Sequence, residues 1–350
     1  MKVFKYILIL LVVFLISGYF LVQNHSVQNK LFENTVRALF QTNEIFMNDA
    51  LSVAVCGSRA PLPSPNRAET CLLVQAGTSK FIIDTGRGSA DNLQKWRVDY
   101  SDLEAVILSH LHSDHISDLH EVQFQSWLGG RKTPLSVIGP IGTASTAQGF
   151  EQAFKLDSIY RSEHHGAILP IEAYGYDVVE FEGDAKLIFE NEDTKITAFK
   201  VDHSPVDPSY AFKIEYKDRS IVISGDTVSL EVMTEYSKGV DVLFHDALAK
   251  PLIQEMEKIS EEIGNNIVSK VLFDIQDYHA NTVEVADIAR RAEVDLLVFY
   301  HLIPAPRNYI SEQMFLRGVD EIFTNYHVSE DGTLVSLPAG SDEILIDLID

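Results

Sequence analysis

The 350-residue chain carries 28 Lys and Arg against 51 Asp and Glu, which leaves a formal net charge of −23 at pH 7. Hydrophobic residues make up 46% of the sequence, enough to bury a substantial core in one large domain or two modest ones. Such an acidic chain repels polyanions at long range, and its sequence contains no run of Lys or Arg. Extended nucleic acid is therefore not an expected partner, whereas a small anionic substrate held by metal is.

The N-terminal segment is basic and then apolar. Lys2 and Lys5 precede an unbroken apolar stretch from Tyr6 to Val22, which as a helix would cover about 25 Å of the ~30 Å hydrocarbon core of a membrane. No small-x-small cleavage pattern precedes Gln23, so the sequence favours an uncleaved signal anchor over a cleaved signal peptide. With the lysines inside, this predicts an inner-membrane protein that faces the periplasm or exterior, or a protein secreted to the periplasm if the signal is cleaved.

Three regions follow one another along the chain. Residues 1–23 form the signal segment, residues 24–49 have the loose apolar spacing of a helical connector, and residues 50–350 read as one mixed α/β domain. Helical patterns in that domain cover residues 230–237, 252–275 and 283–292. The chain's two cysteines, Cys56 and Cys71, would be able to pair in an exported protein, with free thiols as the alternative.

Apolar runs in this domain repeatedly end in a histidine or an aspartate. Such runs precede His110, His203, Asp226, His245 and His301. Strands whose ends meet at one edge deliver these side chains into one place. The pattern therefore predicts a single site built from strand ends.

The strongest motif is the run from His110 to His115, which reads His-Leu-His-Ser-Asp-His. Three imidazoles and a carboxylate within six residues are more metal-binding groups than a protein core tolerates unpaired. In an extended segment His110 and His112 point the same way and can bind one ion, while Asp114 and His115 can bind another. A polar surface loop is the alternative, but the clustering favours a metal site.

This H-x-H-x-D-H run resembles the signature of the metallo-β-lactamase superfamily. Asp84, in the sequence Ile-Ile-Asp-Thr-Gly, is similar to the early Asp-x-Gly strand end that supports the metal-binding loop in that family. The resemblance covers about residues 50–310. It implies an α/β fold, the αββα sandwich, in a hydrolase domain at residues 50–350 that follows the N-terminal transmembrane anchor or signal segment.

The resemblance also implies a site with two divalent metal ions. Nitrogen and carboxylate ligands without a thiolate suit Zn²⁺, and Mn²⁺ or Fe²⁺ use the same donors. Carried over by motif, one ion would be held by His110, His112 and His203, the other by Asp114, His115 and His301, with Asp226 bridging the two.

Within the superfamily, the sequence is most similar to the ribonuclease Z and metal-dependent arylsulfatase-like branch. Residues 139–143 resemble its G-P-x-G-T loop, His245-Asp246-Ala247 resembles its H-E-A-T segment, and His279 begins the region of its extra catalytic histidine. The resemblance implies that Asp114 orients or deprotonates the attacking water, that His279 assists the departing oxygen, and that Asp246 orients His279. Asp246 replaces the expected glutamate, and a helix-capping role is the alternative for His279.

These observations predict an exported metal-dependent hydrolase that cleaves a phosphodiester or sulfate ester of a small anionic substrate. A ribonuclease Z-like tRNA 3′-processing endonuclease is the alternative, but residues 151–195 lack its basic Gly/Pro-rich arm and residues 302–306 differ from its sequence after the last histidine. A lactone, thioester or β-lactam hydrolase can use the same core. Because members of the family often dimerise, a homodimer is also expected.

Overall fold

The computed structural model describes residues 2–349, which divide into two compact units between Asn43 and Glu44. The first unit contains helices α1 (Lys2–Val22) and α2 (His25–Leu39). Residues 4–22 form a helix long and apolar enough to cross a membrane. An apolar helix is thus present where the sequence predicts an anchor or signal segment. Helix α2 begins after Asn24, whose side chain accepts a hydrogen bond from the backbone N–H of Ser26.

The second unit consists of two β-sheets with helices on their outer faces. Its described strands are β1 (Ala50–Gly57), β2 (Cys71–Ala76), β3 (Ser79–Ile83), β4 (Leu103–Ile107), β5 (Leu135–Pro140), β6 (Tyr176–Phe181), β7 (Ala185–Glu190), β8 (Thr194–His203), β9 (Val206–Tyr216), β10 (Arg219–Ile223), β11 (Val242–Leu248), β12 (Leu296–Ile303), β13 (Tyr326–Val328), β14 (Thr333–Pro338) and β15 (Leu345–Leu348). One sheet has the order β15-β14-β1-β2-β3-β4-β5-β6, and the other has the order β13-β12-β11-β10-β9-β8-β7.

The helices of this unit are mostly short. They are α3 (Ser89–Lys95), α4 (Ser113–Ile116), α5 (Leu119–Leu128), α6 (Thr143–His165), α7 (Glu231–Ser237), α8 (Lys250–Glu262), α9 (Asn266–Asp274), α10 (Thr282–Ala292) and α11 (Tyr309–Phe315). The prediction of one continuous helix over residues 252–275 is wrong. Gly264 adopts a left-handed conformation (φ 77°) after α8, and the Asn265 side chain accepts the Val268 N–H to begin α9, so the chain turns between two helices.

Three apolar clusters hold the two sheets and the outer helices together in layers. The largest lies between the sheets and joins residues such as Leu51 and Phe81 of one sheet to Phe212 and Phe244 of the other. A second cluster packs helices α7 and α10 against the outer face of the second sheet, and a third packs α3 and α5 against the first. The inner strands β1, β11 and β12 are buried along their whole length because they are covered on both faces. The architecture confirms the predicted αββα sandwich.

Candidate metal centre

Strand ends bring the predicted site residues together at one edge of the sandwich. Strand β4 leads into the segment that carries His110, β8 ends at His203, and β10 is followed by Asp226. Strand β12 carries His301 near its end, opposite a shift of register against β11. His301 has φ 44°, so this irregularity is a bulge of the kind that re-aims a side chain next to an active site.

The first group of predicted ligands gathers around His112. Its Nδ1 atom lies 3.1 Å from His110 Nε2 and 3.3 Å from His203 Nε2. The Oδ2 atom of Asp226 lies 3.9 Å from His110 Nε2 and 3.8 Å from His203 Nε2. These four side chains therefore aim their ligand atoms at one point.

The second group shares the same aspartate. Asp226 Oδ2 lies 3.3 Å from the Nε2 atoms of both His115 and His301. Asp114 Oδ2 lies 3.6 Å from His115 Nε2 and 3.3 Å from His301 Nε2. One carboxylate oxygen of Asp226 thus belongs to both groups, which is the placement a bridging ligand requires.

The donor atoms fit divalent metal ions in spacing and in chemistry. Ligands ~2.1 Å from a shared tetrahedral ion lie about 3.4 Å from one another, and the separations in both groups lie close to this value. His115 Nε2 and Asp226 Oδ1 are buried and have no hydrogen-bond partner within residues 2–349. Buried polar atoms without a partner are costly, and cations held by the two groups would supply partners for this imidazole and this carboxylate.

Contacts behind the imidazoles fix their orientation. The Asp84 carboxylate lies 2.8 Å from His115 Nδ1 and also accepts the Ser109 hydroxyl proton at 2.7 Å. His203 Nδ1 lies 2.9 Å from the Tyr278 carbonyl oxygen. A hydrogen bond at the rear nitrogen leaves the other nitrogen free to bind metal and sets its direction. Asp84 therefore supports the loop, as the sequence predicts.

Tight backbone contacts hold this support in place. Asp84 itself has φ 59°, a conformation that costs a non-glycine residue energy. At Gly86, an added Cβ would lie 2.2 Å from the Asp114 carbonyl oxygen. Only glycine allows the loop after β3 to approach the metal-binding segment this closely.

Burial and neighbouring charges shift the pKa values of the site histidines in two directions. Burial lowers the pKa of His110 well below its ordinary value and that of His203 to about 4, which keeps their nitrogen lone pairs available at neutral pH. For His115, burial also acts to lower the pKa, but the carboxylates of Asp226 and Asp84 outweigh it and raise the pKa well above its ordinary value. The proton that His115 holds supplies positive charge beside these carboxylates, and a bound metal ion would take its place.

Asp246 and His279 lie beside the ligand groups. His279 Nδ1 is 2.9 Å from Asp246 Oδ2, and His245 Nδ1 is 2.9 Å from Asp246 Oδ1. Burial alone would raise the pKa of Asp246, but the hydrogen bonds from His245 and His279 outweigh it and lower the pKa. The shorter side chain in place of the family's glutamate therefore still reaches His279, which lines the same cavity as His112.

The sequence did not identify the apolar part of that cavity. The cavity has a volume of about 390 Å³ and is lined by predicted site residues and also by Ala60, Pro61, Leu62, Val271, Tyr278, Ile275 and Ile303. These residues come from a loop, a helix and a strand that are far apart in the chain. No local pattern marks them, because each looks like an ordinary packing residue in its own segment.

Comparison with known proteins places the chain in a family. Residues 57–287 match the family model described as Anti-Pycsar protein Apyc1. The chain is 34% identical over 261 residues to ribonuclease Z of Mycobacterium bovis, a match that covers 73% of this chain and 87% of the relative. It is 35% identical over 261 residues to ribonuclease Z of Mycobacterium marinum, with the same coverage.

Solved structures show the same fold at low sequence identity. The metallo-β-lactamase fold protein YhfI from Bacillus subtilis aligns with a TM-score of 0.61 and 20% identity, covering 82% of this chain and all of that one. The short form of human tRNase Z aligns with a TM-score of 0.58 and 19% identity, covering 82% and 99%. The family match and the ribonuclease Z relatives show that the chain belongs to the Apyc1 family, within the ribonuclease Z-like group of the metallo-β-lactamase superfamily, and that it is a metal-dependent hydrolase acting on ester bonds.

Proposed function

We propose that this hydrolase cleaves a phosphodiester in a small anionic substrate, outside the cytoplasm, with two divalent ions in its site. The observation that carries the proposal is the shared Asp226 oxygen, which lies within reach of both ligand groups beside one cavity. A sulfate ester has the same tetrahedral, singly charged centre and is the second substrate class. Zinc suits the nitrogen and carboxylate donors best, and Mn²⁺ or Fe²⁺ use the same ones.

A pair of bound divalent ions would supply a water of lowered pKa and would polarise the ester oxygen. The chain's own residues then position the reaction. His110, His112 and His203 would hold one ion, Asp114, His115 and His301 would hold the other, and Asp226 would contribute to both groups. Asp114 orients the attacking water through its carboxylate, which lines the cavity and is hydrogen-bonded to His301 at 3.3 Å.

His279 is the residue we assign to the departing oxygen. Its Nδ1 atom is held by Asp246 at 2.9 Å, so the other ring nitrogen, Nε2, is left for the substrate. In that orientation Nδ1–H donates to Asp246, and a second proton on Nε2, which makes the ring an imidazolium, can pass to the leaving oxygen or stabilise its charge. A helix-capping role for His279 finds less support, because Asn281 supplies the side-chain cap of α10.

The predicted location is supported by two separate features. Lys2 and Lys5 precede the apolar stretch from Tyr6 to Val22, and this charge asymmetry would orient the following chain away from the cytoplasm. Cys56 and Cys71 are joined by a disulfide bond in the structure, a bond that persists in oxidising compartments such as the periplasm. We therefore propose attachment to the inner membrane with the hydrolase domain outside, or release to the periplasm if the segment is cleaved.

A ribonuclease Z-like activity is the second candidate, and the identity to mycobacterial ribonuclease Z favours it. The electrostatics favour a small substrate, because the chain has a net charge of −23 and lysine and arginine are absent from the cavity lining within residues 2–349. Nucleic-acid binding depends largely on cationic contacts to phosphates.

The test uses the full chain in detergent, loaded with Zn²⁺ or Mn²⁺. Hydrolysis is compared for bis(4-nitrophenyl) phosphate, 4-nitrophenyl sulfate, a lactone, a β-lactam and a tRNA precursor, with His112→Ala as the control. We expect metal-dependent cleavage of the phosphodiester that is lost in the control. Faster cleavage of the tRNA precursor at its 3′ end would replace the proposal with the second candidate.

A further inference from the structure

The site cavity has two chemically different sets of lining residues. One set is polar and contains members of both ligand groups together with other polar side chains: His112, Ser113, Asp114, Asp226, Tyr278, His279 and His301. The other set, here called the apolar wall, consists of Ala60, Pro61, Leu62, Val271, Ile275 and Ile303. Metal-dependent ester cleavage requires the first set only, so the part of the second set that faces the cavity is available to contact another part of the substrate.

Part of the apolar wall is packed in the protein core, and part of it is exposed to solvent. Ala60, Ile275 and Ile303 are buried in a small cluster with Leu248, Ile253 and Leu272. Val271, by contrast, is 48% exposed, and Pro61 is exposed as well. When a ligand covers exposed apolar side chains at the rim of a site, the complex is stabilised by about 25 cal/mol per Å² of apolar surface buried.

A buried arginine fixes the loop that forms half of this wall. Arg59 Nη1 donates to the carbonyl oxygens of Ala60 at 2.9 Å and Leu62 at 3.4 Å, and its Nε donates to that of Arg67 at 2.7 Å. The guanidinium also pairs with the buried Glu69 carboxylate at 3.1 Å. The disulfide between Cys56 and Cys71 closes the base of the same loop. The loop is therefore set in shape before a ligand binds, which lowers the entropy cost of binding.

The charge of the cavity limits the ligand further. Asp114 and Asp226 contribute negative charge to the lining, and over residues 2–349 that lining includes neither lysine nor arginine. An anion would be attracted into this space by the metal ions and by a protonated His279. A substrate with further phosphates would find no counter-charge there, whereas a single negative charge beside an uncharged group suits both halves of the cavity.

We infer that the apolar wall selects a monoanionic diester whose uncharged substituent is aliphatic or aromatic and packs against Leu62 and Val271. This inference rests on the proposed phosphodiesterase function and adds its specificity. The ester group faces the ligand groups, and the substituent that is not the leaving group lies on the wall. Each methylene buried there contributes ~0.8 kcal/mol, which is about a fourfold gain in kcat/KM.

The kinetic test compares methyl and propyl 4-nitrophenyl phosphate, which share a leaving group and a charge. With the zinc-loaded full chain, two added methylenes predict a kcat/KM about 15-fold higher for the propyl ester. Val271→Ser and Leu62→Ser should each lower this propyl-to-methyl ratio by about fourfold. Ile267→Ser is the matched control, because Ile267 lies one turn earlier on α9, is 80% exposed and is not part of the cavity lining. It should leave the ratio unchanged.

A binding measurement separates the two proposals. Calorimetric titration with propyl and methyl methylphosphonate, whose alkoxide leaving groups are far poorer than 4-nitrophenoxide, should show the same preference in Kd. If this preference is present but no ester is hydrolysed, the phosphodiesterase function is wrong and the wall still selects apolar substituents. Equal Kd values for the two phosphonates, or equal ratios in the Val271 and Ile267 variants, would overturn the inference.

Discussion

Asp246→Asn separates the positioning of His279 from the binding of metal. The Asp246 side chain is fully buried and accepts from His279 and His245, each at 2.9 Å. Asparagine keeps the shape of the side chain but replaces one acceptor oxygen with a donor. One of the two imidazoles then faces a donor, so His279 either loses its Nδ1 acceptor or keeps it only as an uncharged amide oxygen.

The expected magnitude follows from these contacts. A hydrogen bond to a charged group contributes about 1.5–3 kcal/mol, and a positioned proton donor accelerates a reaction by about 10²–10⁴-fold. We expect kcat for bis(4-nitrophenyl) phosphate to fall roughly 10²-fold, which lies at the lower end of this range because His279 is still present. Metal content, measured by plasma emission, should stay at the wild-type value, since neither of the two proposed ligand groups includes Asp246.

The double variant Asp246→Asn with His279→Ala decides whether Asp246 acts through His279. If it does, the double variant is as slow as His279→Ala alone, because the aspartate has no remaining role. Separate roles would instead make the two losses in kcat multiply. That result, or a loss of metal from Asp246→Asn, would refute the positioning argument.

Three further experiments test the site and its scaffold. His112→Ala should bind fewer metal ions by plasma emission and lose hydrolysis, because His112 Nδ1 lies within 3.3 Å of two other ligand nitrogens; full metal content would contradict the assignment. Replacing both Cys56 and Cys71 with alanine should lower the unfolding free energy by about 3 kcal/mol, since the bond links residues 15 apart; reductant should lower the Tm of the wild type but not of this variant. The pKa of Asp246 is lowered in the folded protein, so its ionised carboxylate stabilises the fold. This contribution is fully present above the unfolded-state pKa of ~3.9 and is lost as the pH falls through the lower pKa of the folded state. The stability advantage of the wild type over Asp246→Asn should therefore shrink in urea titrations on going from about pH 6 to about pH 3, and an advantage that grows would refute this sign.

Most of the fold and the centre of the site can be predicted from local sequence patterns. The run from His110 to His115 is dense enough to indicate a metal site by itself, and apolar runs that end in His203, Asp226 and His301 indicate strand ends. The break between α8 and α9 was missed, because apolar periodicity continues across Gly264 while the glycine and Asn265 end one helix and begin another. Periodicity reports which face of a helix is buried and does not report where its axis turns.

The specificity of the site depends on contacts that sequence reasoning does not reach. Leu62 and Val271 are far apart in the chain, and both line one cavity only because the loop after β1, strand β12 and helix α9 meet at the same edge of the sandwich. Each resembles an ordinary packing residue in its own segment, whereas a cluster of histidines has no comparable role in a core. Metal-binding groups are therefore visible locally because they are costly to bury without a partner. The residues that select a substrate by shape carry no such cost, so they become visible only when the fold places them beside the metal ligands.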